Sequence, residues 1–202
     1  MKKLGLLIFL ISSLSLAQNA WINEFHYNNV GADVNEFVEV AIQNPGDYNL
    51  ADFKITLYNG ATGRTYRTAR RVSTFVVGIL NPNTNIQLFY TVYPSGRIQN
   101  GNPDGICLDY QGTPILFISY GGSFTATNGV ANGLISNDIG ITEPSNAPLE
   151  SSLGLTGSGT TYSQMTWAYY PASSTTGDPN GGQELPVELT SFSATKIGKD
   201  IK

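Results

Sequence analysis

Residues 36–42 read Glu36-Phe37-Val38-Glu39-Val40-Ala41-Ile42. Successive side chains of a strand point to opposite faces, so Val38, Val40 and Ile42 share one face and Phe37, Glu39 and Ala41 the other. The first set is apolar and β-branched, which suits the inside of a sheet. The second places an acid between two apolar residues. That face is either wet or holds a carboxylate whose hydrogen bonds are satisfied within the protein. The upstream stretch Trp21-Ile22-Asn23-Glu24-Phe25-His26-Tyr27 has the same texture, with Glu24 in mid-strand.

Outward from this pair, the chain continues as short strand-like runs: 53–58, 64–68, 72–77, 86–91, 105–110 and 114–120. Turn chemistry separates them. Asn44-Pro45-Gly46-Asp47, Tyr58-Asn59-Gly60, Asn81-Pro82-Asn83, Pro103-Asp104-Gly105 and Gln111-Gly112 favour reversals through the fixed φ of Pro and the positive φ open to Gly and Asn. Amphipathic stretches of helical period are absent. The spacing predicts an all-β fold, an immunoglobulin-like β-sandwich with long Gly/Asn-rich loops. Within residues 121–165, short edge strands are expected around Phe124 and Leu153–Leu155, the remainder packing over the sandwich. Residues 164–169 read as a last strand, whose Trp167 and Tyr169 suit a core better than an exposed sugar-stacking surface. The sandwich domain is expected over 18–172, followed by a Pro/Gly/Ser/Thr linker over 173–183. Residues 184–202 begin a further apolar segment.

The composition supports a folded domain: 202 residues, 41% hydrophobic and 13% charged, with 22 Gly and 10 Pro. A single Cys and a single His exclude a disulfide framework and a Cys/His structural zinc site. Lys2 and Lys3 precede the apolar run Leu4–Leu16, and Ser15-Leu16-Ala17 places small residues at −3 and −1 of a cleavage site. Residues 1–17 are read as a signal peptide and Gln18 as the mature N-terminus, giving a secreted or cell-surface protein. The apolar run falls short of the roughly 20 residues a membrane span needs, so no span is expected after cleavage. No Cys stands at the cleavage point, which excludes a lipoprotein. Loss of Lys2 and Lys3 takes the net charge from −4 to −6. Cys107, between Ile106 and Leu108, reads as a buried, inert thiol.

Three stretches carry a family resemblance. Trp21–Tyr27, Glu36–Val40 and Leu50-Ala51-Asp52-Phe53-Lys54-Ile55 resemble the bacterial lamin-tail domain family, in which an Ile-Asn-Glu strand, a Glu-Phe-(Val/Ile)-Glu-Leu strand and a Leu-Ser-Gly-Trp strand follow one another. Here Ala51-Asp52-Phe53 stands for Ser-Gly-Trp, keeping an aromatic and losing the glycine. Residues 98–106 and 124–129 are similar to the variant that opens large secreted bacterial nucleases. The resemblance spans roughly residues 20–172 and implies a sandwich serving as an accessory module, the nuclease itself being a separate, later domain. Glu184–Lys202 resembles the Leu-Pro-Val-Glu-Leu linker that Bacteroidetes proteins place before a type IX sorting region. That implies that a segment opens here which the chain does not complete.

Glu24 and Glu39 are the foremost polar residues, read as structural carboxylates that accept hydrogen bonds from backbone N–H groups or a Tyr hydroxyl. Two acids separated by about 5–10 Å could also hydrolyse a glycoside, which keeps a small carbohydrate-active enzyme as one alternative. Asp33, Glu36, Asp104 and Asp109 are candidate calcium ligands, although no Asp-x-Asp-x-Asp-Gly loop is present. His26, alternating with Ile22 and Glu24, reads as a surface or rim histidine. Arg64-Thr65-Tyr66-Arg67-Thr68-Ala69-Arg70-Arg71 is the one basic cluster. Arg64, Arg67, Arg70 and Arg71 with Tyr66 suit an anion or a nucleic acid, giving the alternative of a nuclease-associated binding domain. An edge strand guarded by charge explains the same residues and is preferred at a net charge of −6. The expected function is that of a secreted, non-catalytic interaction or tethering module for a cell-envelope, polysaccharide or protein partner. It needs no cofactor other than the candidate calcium.

Overall fold

The computed structural model describes residues 19–185, 196–197 and 200–201. The expected signal peptide and almost all of the segment after Glu184 lie outside the described residues. Thirteen strands build the sandwich: β1 Ala20–His26, β2 Phe37–Gln43, β3 Phe53–Asn59, β4 Arg64–Thr65, β5 Arg70–Arg71, β6 Val76–Asn81, β7 Ile86–Val92, β8 Asp104–Tyr110, β9 Thr113–Tyr120, β10 Asn137–Asp138, β11 Ser152–Ser158, β12 Thr166–Tyr170 and β13 Gln183–Glu184. From Ala20 onward, helical structure among the described residues is confined to three-residue 3-10 turns. No described helix is long and apolar enough to cross a membrane.

One sheet has the order β12-β11-β1-β2-β7-β6, with β13 added alongside β11, and the other β10-β9-β8-β3-β4, with β5 also on β3. Their inner faces make the main core. Val38, Val40 and Ile42, the set that strand alternation assigns to one face, pack there with Ile22, Phe25, Phe89, Ile55, Leu57, Ile106, Leu108 and Ile118. The fold is an immunoglobulin-like β-sandwich. Gln111 and Gly112 both take positive φ, 52° and 79°, in the two-residue hairpin joining β8 and β9. Such a turn follows the twist of the strands it joins.

Both outer faces are covered as well. On the second sheet, Tyr58, Cys107 and Phe117 are capped by Ala126 and Ala131 from the loop after β9. Burial pushes the Cys107 thiol pKa well up, which keeps it protonated. On the first sheet, Trp21, Ala41, Leu88 and Leu155 pack under Met165 and Leu185.

The strands differ from the sequence expectation in particular places. Leu153–Leu155 lie in β11, an interior strand between β1 and β12 rather than an edge. Around Phe124 there is an isolated bridge, Thr125 to Ile135, in place of a strand. Residues 72–74 form a 3-10 turn, and the following strand runs on to Asn81. Residues 173–183, expected as a free linker, instead lie against the first sheet: Gly177, Asn180 and Gln183 are buried. Their composition signalled flexibility, but long-range acceptors on the sheet hold them down.

Candidate functional site

The outer face of the first sheet is built around a register irregularity. Ile22 pairs with Val40, and two residues further on Glu24 already pairs with Glu39, so β1 bulges at Asn23. A bulge inserts a residue and flips the alternation after it. Ile22 therefore enters the core while Asn23, Glu24 and His26 serve the opposite face. The sequence expectation that Ile22, Glu24 and His26 share one face fails at this bulge.

Glu24 and Glu39 stand directly opposite each other, both fully buried. Glu24 accepts from Ser152 Oγ at 2.5 Å and from Thr175 N at 3.0 Å. Glu39 accepts from Asn23 Nδ2 at 2.9 Å and from Gly177 N at 2.6 Å. Asn180 and Gln183 complete the network: Asn180 Nδ2 donates to Leu155 O at 2.9 Å, and Gln183 Nε2 to Asn23 Oδ1 at 2.7 Å. Residues 175–183 thus form a roof hydrogen-bonded to the two acids. Burial lifts the pKa of Glu39 well above the usual carboxylate range, and the neighbouring Glu24 lifts it further. Burial also raises Glu24, against the lowering effect of Ser152 and Thr175. With no exposed oxygen and its donors in place, this pair is unsuited to attack on a substrate.

The four candidate calcium ligands do not come together; among the described residues no group of three His, Cys, Asp or Glu is placed to hold a metal. Each acid is engaged by nearby loops. Asp33 accepts from Asn29 N and Asn100 Nδ2, and Glu36 from Arg97 N and Ile98 N. Asp104 accepts from Gly60 N and Gly101 N, and Asp109 from Gly112 N. Burial raises the pKa of Glu36, Asp104 and Asp109, with these N–H groups opposing it.

The basic segment forms the ragged edge of the second sheet, β4 and β5 both pairing with β3. It is divided in use. Tyr66 turns inward, and its hydroxyl accepts from Gln99 N at 3.1 Å, so it is not free to stack on a base. Arg70 reaches across to the first sheet. Its Nη1 donates to Thr91 Oγ1 at 2.6 Å and to Val92 O at 2.9 Å, and its guanidinium lies 3.9 Å from the Tyr93 ring centroid. Arg67, Arg70, Arg97, Tyr93, Thr68 and Pro94 line a groove of about 350 Å³. Arg64 and Arg71 are not part of it. Arg97 and Tyr93, which the sequence reading did not single out, arrive from the segment after β7. Their contribution has no local signal, because it is the pairing of the sheets that brings residues 93–97 beside 67–70. Among the described residues ion-pair geometry is met once, by His26 and Glu143, and none of these arginines has a carboxylate partner.

His26 is buried, not at a rim. Its Nδ1 lies 2.7 Å from Glu143 Oε1. Glu143 Oε2 accepts from Tyr27 N at 2.7 Å and Asn28 N at 2.9 Å, and Ser151 Oγ donates to Oε1 at 3.2 Å. One acid thereby fastens the long loop after β10 to the end of β1. Glu143 sits in a Gly/Asn/Ser/Pro-rich passage without periodicity, which is why the sequence did not mark it. Comparison with family models, with curated proteins and with solved structures gives no match to the chain.

Proposed function

We propose that this protein is a secreted, non-catalytic interaction module that holds an anionic group of an extracellular partner in the groove of Arg67, Arg70 and Arg97. The observation that carries this reading is that three arginines line one groove without a carboxylate among its lining residues. Guanidinium presents several N–H donors in a planar fork that matches carboxylate, sulfate or phosphate. Clustered positive charge on a protein of net charge −4 favours a defined docking point over general adhesion to polyanions. The resemblance to lamin-tail domains supports an accessory role, and the n-, h- and c-region pattern of residues 1–17 supports export, with mature protein beginning at Gln18. Mass spectrometry of the exported protein tests that start point.

The binding experiment is fluorescence polarisation with labelled heparin and with a labelled single-stranded oligonucleotide, at several salt concentrations. Binding that weakens with salt and is lost in Arg67→Ser/Arg97→Ser supports the groove. Unchanged binding in that variant overturns it. The nucleic-acid alternative requires tighter binding of the oligonucleotide than of heparin, and the inward position of Tyr66 weighs against base stacking.

A further inference from the structure

The outer face of the first sheet carries a depression of about 300 Å³. His26, Phe37 and Tyr90 from β1, β2 and β7 contribute to it, as do Glu150, Ser174 and Thr176 from the flanking segments. His26 Nε2 is buried and has no hydrogen-bond partner. Native proteins leave few such atoms unmatched, so this one calls for an explanation.

The neighbours of Glu143 define what His26 offers. Glu143 already accepts from two backbone N–H groups and from Ser151, which makes it the acceptor towards His26 as well. Nδ1 therefore carries a hydrogen, and Nε2 is the ring atom left without a partner. A carboxylate behind a histidine in this manner fixes both the tautomer and the ring orientation. No Lys or Arg lines the depression and Glu150 does, which disfavours an anion. Its walls mix aromatic rings with hydroxyl, carboxylate and imidazole groups. Such a lining suits a ligand with an apolar C–H face and a rim of hydroxyls. The volume is at the lower end of small-molecule sites, roughly 300–1,000 Å³, which limits the occupant to about one ring.

We propose that this depression is a subsite for one neutral sugar ring, a hydroxyl of which hydrogen-bonds to His26 Nε2 as the side chains covering that atom shift aside. It adjoins the arginine groove: Val92 lines the depression, and its carbonyl accepts from Arg70. The proposal does not depend on that groove, because its probe is uncharged.

His26 is the sole histidine, so protein labelled with ¹⁵N-histidine has a single imidazole to follow by NMR. The probes are the methyl glycosides of glucose, galactose, mannose and N-acetylglucosamine. The expected result is a saturable shift of the Nε2 resonance with at least one glycoside. The shift should vanish in Leu149→Trp and in Thr176→Trp, which enlarge two residues that line the depression, while Nδ1 still reports an intact His26–Glu143 pair. It should persist in Arg67→Ser/Arg97→Ser. The absence of a saturable shift with every glycoside would overturn the proposal. So would a shift that survives both Trp variants, or a response to Zn²⁺ with none to the glycosides.

Discussion

Glu24 on β1 and Glu39 on β2 are direct cross-strand partners, and both are shut beneath residues 175–183. Two like charges side by side in a buried layer cannot both ionise freely. This arrangement makes stability depend on pH in a particular direction.

Both carboxyls have a folded-state pKa above their ordinary value of 4.5. The native state then holds their protons more tightly than the unfolded state does. Their contribution is complete below the ordinary carboxylate range and is lost as pH rises through the raised values. Denaturation midpoints should therefore fall from weakly acid to alkaline pH. Glu39→Gln cannot ionise and should flatten that slope. It should also lose about 1 kcal/mol at acid pH, because Asn23 and Gly177 donate to different oxygens of Glu39 and the amide replaces one of them with an NH2 that cannot accept.

The roof approaches the sheet where β6 has no side chain. A Cβ on Gly78 would lie 2.5 Å from Gly177 O and 2.8 Å from Gly177 Cα. Gly78→Ala should push the roof outward and strain the bonds from Gly177 N to Glu39 and from Ile79 N to Gly177 O. The expected loss is about 1–3 kcal/mol in urea melts, with faster hydrogen exchange at Gly177.

Glu143→Ala should be among the more damaging single changes, at about 2–4 kcal/mol, since it leaves the buried Tyr27 N–H and the His26 ring without their acceptor. Glu150→Ala, at an exposed position in the same passage, should change stability by at most about 0.5 kcal/mol. Thermal or denaturant melts of the two variants make the comparison.

Arg70→Ala should cost about 1–2 kcal/mol, because the guanidinium joins β5 of one sheet to β7 of the other and lies over Tyr93. Arg70→Lys should not restore it, an ammonium lacking the planar fork that serves both acceptors and the ring. Arg64→Ala, on an exposed edge, should stay within about 0.5 kcal/mol of the parent. Equal effects of Arg64→Ala and Arg70→Ala in denaturant melts would contradict this division of the basic segment.

Much of the sandwich was legible because strand alternation and turn chemistry act over a few residues. Val38, Val40 and Ile42 enter the core as their spacing requires, and Gln111-Gly112 turns where positive φ was open to it. The candidate site was legible only in fragments. Glu24 and Glu39 stood out as acids among apolar neighbours, but nothing nearby in sequence named Ser152, Thr175 or Gly177 as their donors. The basic segment stood out by its charge, whereas Arg97 and Tyr93 did not.

By itself, the sequence determined the fold class, the strands on which the two central acids lie and the apolar set that fills the interior. Those are local consequences of side-chain alternation, β-branching and permitted φ. Only the tertiary structure decided which face His26 serves, because the bulge at Asn23 arises from pairing with β2. It alone decided that residues 173–183 are a roof and not a spacer, because their bonds span more than 130 residues of chain. It also divided the arginines, because a groove between sheets is assembled by burial of the core and not by the charges at its rim.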